Sequence, residues 1–117
     1  MANPNIINIG SLYGKTAVAS VTANVTTLIT NSSGSGKVIK VSSLYISNSN
    51  STSTSYVSLD LFRSGAAYYI MFQTPIPVGS TIDAINKHLY LEEGDSLRIS
   101  SLTNNDVRAV STYEEIS

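Results

Sequence analysis

The chain has no cysteine and no tryptophan, and only one histidine and three prolines among its 117 residues. Without cysteine, neither a disulfide framework nor a thiolate metal site is available, so stability has to come from packing, strand pairing or association with other subunits. The absence of cysteine leaves the redox compartment open. One histidine and no cysteine also supply no set of nucleophile, base and orienting group, so we expect neither an enzyme nor a cofactor.

Charge is scarce as well. Charged residues make up 13% of the sequence, and seven basic against eight acidic residues give a formal net charge of −1. This balance offers no broad attraction to a phosphate backbone or an anionic lipid, so binding to nucleic acid or to membranes is not expected. From Met1 to Gly36 the only charged residue is Lys15, which leaves this segment with little electrostatic protection against self-association. The composition predicts a surface that packs against other protein.

Long apolar runs are absent too, and the first residues lack the basic segment and apolar core of a secretory signal. We therefore expect a soluble protein that is made in a cytoplasm. Tripeptides beginning at Asn24, Asn31 and Asn50 match the glycosylation acceptor pattern. A chain with 20 serines and 11 threonines produces such matches by chance, so they carry little weight.

What the sequence does contain is alternation of apolar and polar residues, with almost no helical periodicity. The strongest segment, residues 89–99, predicts two half-buried strands folded about an acidic turn in which Gly94 tolerates positive φ. About seven to nine short strands at this spacing predict an all-β fold, an antiparallel β-sandwich with a jelly-roll-like layout. We expect one domain over residues 1–117, with residues 1–15 as an N-terminal arm.

Near the amino terminus, residues 6–9 are expected to form a short strand. A loop carrying Gly10 and Gly14 should follow it. Residues 16–30 place apolar residues among hydroxyl residues, which suits two short strands or one bent strand. Residues 31–36 then break the pattern as a turn.

The strand expected at residues 37–48 changes its phase midway. The alternation places Val41 at an odd position but Leu44 at an even one, so the parity of the apolar face changes between them. Because successive strand residues point to opposite faces, one extra residue reconciles the two halves. A β-bulge near Ser42 and Ser43 is therefore expected.

The continuously apolar residues 67–72 are expected to form a central strand that is buried on both faces. Pro75 and Pro77 lack a backbone donor, so residues 74–80 should cross between sheets or run along an edge. Residues 81–86 suit either a helical turn or an extended segment.

The segment Gly34-Ser35-Gly36-Lys37-Val38 partly matches a phosphate-binding loop. It lacks the first glycine and the terminal serine or threonine of the full motif, and a strand rather than a helix is expected after it. We therefore interpret it as a hairpin turn.

His88 stands close in sequence to Glu92, Glu93 and Asp95. In a strand, His88 and Glu92 would be about 13 Å apart at 3.3 Å per residue, which is too far to share one ion. The acids could hold calcium, or Asp95 could accept hydrogen bonds that cap the turn. Turn chemistry accounts for the pattern without an ion, so no metal is expected.

Seven tyrosines and two phenylalanines suit either core and interface anchors or rings that stack on sugars, and we favour the first interpretation. The polar, uncharged residues 47–55 are expected to form an exposed loop. Its candidate recognition residues are Asn48, Asn50 and Thr52.

A further pattern runs through five segments: Ala2-Asn3-Pro4-Asn5-Ile6, Gly14-Lys15-Thr16-Ala17, Asn31-Ser32-Ser33-Gly34-Ser35-Gly36-Lys37-Val38, Leu89-Tyr90-Leu91-Glu92-Glu93-Gly94-Asp95-Ser96-Leu97-Arg98 and Tyr113-Glu114-Glu115-Ile116-Ser117. In these turn and strand sequences the chain resembles a family of small virion structural proteins of marine tailed phages, especially cyanophages. The resemblance covers essentially the full length. It implies a structural protein of the virion that is made in the host cytoplasm.

Composition and resemblance together lead us to expect a capsid decoration, or cement, protein. Such a protein would bind the major capsid protein on the capsid exterior as a homo-oligomer, with a trimer expected, and many weak contacts would add up by avidity. The alternative is a tail, neck or fibre-associated component that contacts tail proteins and recognises a host glycan. The candidate partner interface lies in the charge-poor amino-terminal segment, at Ile6, Ile7, Ile9, Leu12 and Tyr13.

Overall fold

A computed structural model describes residues 10–85, 87–102 and 107–117 of the chain. Within these residues there are nine strands in two antiparallel sheets, and no helix. The expected all-β fold and the expected number of strands are thereby confirmed. The strands are β1 (Leu12–Val21), β2 (Thr26–Thr30), β3 (Val38–Asn48), β4 (Ser55–Arg63), β5 (Ala66–Ile76), β6 (Thr81–Ile85), β7 (Leu89–Leu91), β8 (Ser96–Ser101) and β9 (Val107–Ile116).

The first sheet has the strand order β1-β9-β3-β6, and the short strand β7 also pairs with β3. Strands β6 and β7 follow one another along the same side of β3, because Ile85 lies opposite Leu44 and Leu89 lies opposite Val41. They behave as one strand with an interruption. The second sheet has the order β2-β8-β4-β5.

One hydrophobic core joins the inner faces of the two sheets. The first sheet contributes Val41, Leu44 and Leu91, and the second contributes Leu59 and Leu97, all of them fully buried. Burying one such side chain stabilises the fold by about 1.5–3 kcal/mol. The core therefore depends on both sheets, and neither sheet can bury its apolar face alone.

The predicted β-bulge in β3 is confirmed. The pairing of β3 with β9 shifts between Val41 and Ser43, which leaves Ser42 as the extra residue. Val41 and Leu44 are both buried, so the bulge keeps the apolar residues of both halves on the core face.

Residues 67–72 do not form a central strand, which corrects the expectation. They lie in β5, the last strand of the second sheet, where Tyr68, Tyr69 and Phe72 are exposed. The pairing of β5 with β4 shifts register twice, and Pro75 lies near its end. Bulges and prolines are typical of edge strands, so the register shifts and Pro75 indicate the edge position of β5, whereas the apolar run suggested a central one.

Residues 89–99 do not form a hairpin, which is a second correction. Strand β7 belongs to the first sheet and β8 to the second, so residues 92–95 carry the chain from one sheet to the other. Residues 31–37 likewise connect β2 and β3 across the sheets and do not close a hairpin. Gly94 has a φ of 89°, as the acidic turn requires. Alternation identified the strands but carries no information on which sheet each one joins.

Strand β1 pairs with β9 without a break along all ten of its residues. The predicted loop at Gly14 is therefore wrong, because Gly14 lies inside β1 opposite Glu114. Residues 12–15 belong to the first sheet, so an N-terminal arm would be limited to residues that precede β1. The strand predicted at residues 6–9 lies outside the described residues.

Both alternatives expected for residues 74–80 are found, because Pro75 lies in the edge strand β5 and Pro77 lies in the connection that follows it. The chain leaves β5 in the second sheet and enters β6 in the first through residues 77–80, so this segment crosses between the sheets. Residues 81–85 are extended as β6, which decides between the two structures expected for them.

Two buried asparagines hold the corners at which pairs of connections cross between the sheets. At the first corner, the Asn31 Nδ2 donates to the carbonyl oxygens of Lys37 and Leu91, both at 2.9 Å. The Asn31 backbone N–H donates to the Asp95 carbonyl at 2.9 Å, and its own carbonyl accepts from the Gly94 N–H at 2.7 Å. Asn31 thus ties the β2–β3 connection to the β7–β8 connection.

Asn48 makes the same pattern at the second corner. Its Nδ2 donates to the carbonyl oxygens of Ser53 and Ile76, both at 2.9 Å. Its backbone N–H donates to the Ser80 carbonyl, and its carbonyl accepts from the Gly79 N–H, again at 2.9 Å each. Asn48 thus ties the β3–β4 connection to the β5–β6 connection.

We expect Asn31→Ala and Asn48→Ala each to lower the free energy of unfolding by about 2–4 kcal/mol, because each leaves two carbonyl oxygens without their donor. Urea titration followed by circular dichroism measures the change. Asn24→Ala, at an exposed position between β1 and β2, is the matched control and should cost less than about 0.5 kcal/mol. Midpoints for the two buried variants that equal the control midpoint would contradict the role of the corners.

Candidate functional site

The candidate partner interface is described in part. Leu12 and Tyr13 begin β1 and are 50% and 60% exposed, so the two residues lie on the surface as the interface requires. Ile6, Ile7 and Ile9 lie outside the described residues. The described part of the predicted interface is therefore the start of an edge strand.

Strand β1 is a long open edge. Among the described strands β9 is its only neighbour in the sheet, so the backbone groups on its other side have no strand partner there. Proteins usually protect such edges with bulges, prolines or charges. The pairing of β1 has no register shift, the strand has no proline, and its one charge, Lys15, forms an ion pair with Glu115 at 3.2 Å. The edge has the geometry to accept a further strand.

A row of apolar side chains crosses the outer face of the first sheet next to this edge. Val18 lies opposite Val110 on β9, and Val110 lies opposite Tyr45 on β3. All three are exposed, and Val18 is 73% exposed. A shallow depression of about 490 Å³ lies along Val18, Ser20, Val110 and their neighbours. The open edge and the apolar row form one continuous surface.

The second candidate surface, the loop between β3 and β4, needs a correction. Asn48 is buried and not exposed, because its side chain holds the second corner. Asn50 is half-buried, and its Oδ1 accepts from the backbone N–H groups of Thr52 and Ser53 at 2.8 Å each. Asparagine commonly stabilises turns in this way. Of the three predicted recognition residues only Thr52 is exposed.

The acidic turn between β7 and β8 is organised by Asp95. The Glu92 backbone N–H donates to Asp95 Oδ2 at 2.8 Å, which confirms the prediction that Asp95 caps the turn. Arg63, at the end of β4, donates from Nε to Oδ1 at 2.8 Å and from Nη2 to Oδ2 at 2.5 Å. The Nη2 atom also reaches Glu92 Oε2 at 3.0 Å. A buried carboxylate therefore links the turn to the second sheet.

The glycine segment that partly matched a phosphate-binding loop faces this same turn. The Gly34 N–H donates to Glu93 Oε1 at 2.9 Å, so a carboxylate occupies the donor that a phosphate would need. Val38 begins a strand. A depression of about 360 Å³ lies between Arg63 and residues 92–95. In the described part of the chain no group of three or more acidic or histidine side chains could hold a metal ion.

His88 is exposed in the connection before β7 and lies outside the regular strand that was expected for it. It borders an apolar depression of about 220 Å³ with Ile70, Ile85 and Leu89, on the open flank between the two sheets. The structure does not bring His88 together with the carboxylates of the acidic turn in one depression.

Two carboxylates have shifted pKa values. Burial alone would raise the pKa of Asp95, but the hydrogen bonds from Arg63 and from the Glu92 N–H, with the charge of Arg63, lower it below its ordinary value. The hydrogen bond to Asp95 in turn raises the pKa of Arg63. Burial alone would also raise the pKa of Glu115. The hydrogen bonds and charges of Lys37 and Lys15, whose Nζ atoms lie 3.1 and 3.2 Å from the carboxylate oxygens, lower it below its ordinary value.

An aromatic surface on the second sheet is a feature that the sequence interpretation missed. Tyr69 lies opposite Asp60 and therefore shares its face, and Phe72 packs edge-to-face against Tyr69 with ring centroids 4.9 Å apart. Arg98, also opposite Asp60, pairs with it at 3.0 Å and stacks over the Phe62 ring at 3.9 Å. Pro75, close after the aromatic run, was the signal for an edge strand with an exposed face.

Comparisons with known proteins add no identification: no family model matches the sequence, and no curated protein is similar to it. The resemblance to phage structural proteins stays a prediction. In the described part of the chain no helix is long and apolar enough to cross a membrane.

Acid is expected to weaken the fold through Asp95. Its folded-state pKa lies below the unfolded value of about 3.9, so the stabilisation is complete above that value and is lost as the pH falls through the folded-state pKa. Glu115 acts in the same direction. We expect the Tm to fall on acidification below about pH 4, as measured by calorimetry across a pH series.

Asp95→Asn should lower the Tm near neutral pH and flatten this acid dependence, because the variant has no proton to gain at that position. Asp83→Asn makes the same charge change at an exposed position on β6 and is the matched control. An acid dependence in Asp95→Asn as steep as that of the control would exclude Asp95 as a main source of the acid sensitivity.

Proposed function

We propose that this chain is a phage virion structural protein that decorates the capsid exterior and binds the major capsid protein as a homo-oligomer. The observation that carries the proposal is the open edge of β1, which is ten residues long, regular and almost uncharged. An enzyme would need a catalytic group, whereas a decoration protein needs an adhesive surface. The β1 edge with its adjoining apolar row is such a surface.

We also propose a jelly-roll layout for the two sheets. Counting the interrupted pair β6–β7 as one strand leaves eight strands, in which the first pairs with the last, the second with the seventh, the third with the sixth and the fourth with the fifth. This pairing is that of one long hairpin wound around a core. Jelly rolls are found in viral capsid and lectin domains, which supports a structural or adhesive role.

The binding mechanism is strand addition at the β1 edge. Main-chain hydrogen bonds to an added strand supply affinity, and alternate side chains supply specificity. Leu12, Tyr13 and Val18 are the exposed apolar side chains of β1 that would contact the capsid protein. Each contact is weak, and symmetry-related copies on one particle add their contacts by avidity. Ile6, Ile7 and Ile9 precede this edge in the chain and belong to the same proposed interface.

Quantitative mass spectrometry of purified particles tests the location. For a capsid decoration protein we expect a copy number comparable with that of the major capsid protein. A copy number comparable with that of a tail-tip protein would contradict capsid decoration and favour the tail, neck or fibre location. Absence of the chain from the particle would contradict a virion role altogether.

Val18→Lys tests the surface. A lysine on the open edge opposes strand addition and desolvation, so we expect binding to particles that lack the chain to weaken by about tenfold or more in a pelleting assay. Val25→Lys places the same charge at an exposed valine between β1 and β2 and is the control. Equal binding by the two variants would exclude the β1 edge as the contact.

A further inference from the structure

The aromatic face of the second sheet is the strongest surface that the proposed capsid contact does not use. We define it by four outward-facing rings on β4 and β5: Tyr56, Phe62, Tyr69 and Phe72. Tyr69 and Phe72 are 56% and 61% exposed. Exposed aromatic side chains that lie together commonly mark interaction sites, because their rings bury large area at low entropic cost.

The charges on this face cancel each other. Register places only two charged residues on the outer side of the four strands, Asp60 and Arg98, and the two pair with each other. Asp60 is buried in this pair, and Arg98 lies against the Phe62 ring. When such a face meets a second copy of itself, no unpaired like charges oppose one another.

The outer side of the second sheet, which carries the aromatic face, is large enough to take part in an interface between copies. Its four strands at a spacing of ~4.8 Å span ~19 Å, and strands averaging about eight residues span ~25 Å, which gives the whole outer side a projected area of ~450–500 Å². That projection is a little over half of the ~800 Å² per partner of a standard interface, and side-chain relief adds to the accessible area.

Two other modes of contact fit this region less well. The Tyr69 and Phe72 rings are inclined by 71°, so they do not offer the single flat plane on which a sugar would stack. The outer edge of β5 is interrupted by two register shifts and contains Pro75, which oppose the addition of a strand. These observations favour contact through the face of the sheet.

We propose that the aromatic face is the surface through which copies of this chain associate, with a second copy as its partner. The proposal rests on the proposed function only for the expectation of a homo-oligomer. It also separates two contacts on the molecule: the β1 edge of the first sheet binds the capsid, and the outer face of the second sheet binds another copy. Both contacts can then form at once.

Sedimentation equilibrium of the full chain tests the proposal. We expect the wild-type mass to be at least twice the 12.5 kDa of one chain, and Phe72→Lys and Tyr69→Ser each to raise the dissociation constant by about tenfold or more. Both positions are more than half exposed, so each variant should keep the wild-type circular dichroism spectrum and unfolding midpoint. Tyr90→Ser, at an exposed tyrosine on β7 of the first sheet and outside the apolar row, is the control and should keep the wild-type mass.

The outcomes separate this inference from the proposed function. A wild-type chain that is monomeric up to about 100 µM, or face variants that keep the wild-type mass, would overturn the aromatic face as the contact between copies, whatever the copy number on particles. Association through the face by a chain that is absent from particles would support the inference and contradict the capsid role. A dimer in place of the expected trimer would still support this surface.

Discussion

The two buried asparagines are the constraint on which the rest of the fold depends. At each corner two backbone segments leave one sheet and enter the other, so their polar groups lose the regular partners of a ladder. Asn31 and Asn48 replace those partners, because an amide side chain both donates and accepts as a backbone unit does. Their Oδ1 atoms are used as well, by the Ser35 hydroxyl at one corner and the Asn50 N–H at the other. With the corners fixed, the inner faces of the sheets stay aligned and enclose one core.

The few charged residues of the chain are mostly placed where they pair with one another. Asp60 and Arg98 pair with each other, Lys15 and Lys37 both pair with Glu115, and Arg63 pairs with the acidic turn. Together with the Lys40–Glu114 pair, these ion pairs include ten of the 15 charged residues, so most of the charge is paired within the chain. The surfaces that remain are rich in hydroxyl groups and exposed rings, which suits a protein whose partners are other proteins.

Local features of the fold could be predicted from the sequence, and non-local ones could not. The change of parity between Val41 and Leu44 predicted the bulge. Pro75 and Pro77 predicted that residues 74–80 run along an edge or cross between the sheets. Both predictions succeeded because a bulge and a missing donor are properties of a few adjacent residues. Which sheet a strand joins is decided by partners far along the chain, so alternation in residues 89–99 suggested a hairpin where a crossing exists. The prediction that residues 67–72 are buried on both faces was wrong for the same reason. Asn31 and Asn48 carry no local mark that distinguishes them from exposed asparagines.

The two corners share one hydrogen-bond pattern but differ in their electrostatics. The corner at Asn31 adjoins Asp95 and its ion pair with Arg63, whereas the corresponding position at the Asn48 corner is Ser80, which carries no charge. Protonation of Asp95 therefore weakens the Asn31 corner, whereas the hydrogen bonds of the Asn48 corner involve no ionisable side chain. Local opening in acid would begin at the Asn31 corner, where the β2–β3 and β7–β8 connections meet, before the Asn48 corner opens. A fold with nearly symmetric backbone corners thus acquires a direction of unfolding from Asp95 and from Glu115, whose partner Lys37 also belongs to the Asn31 corner.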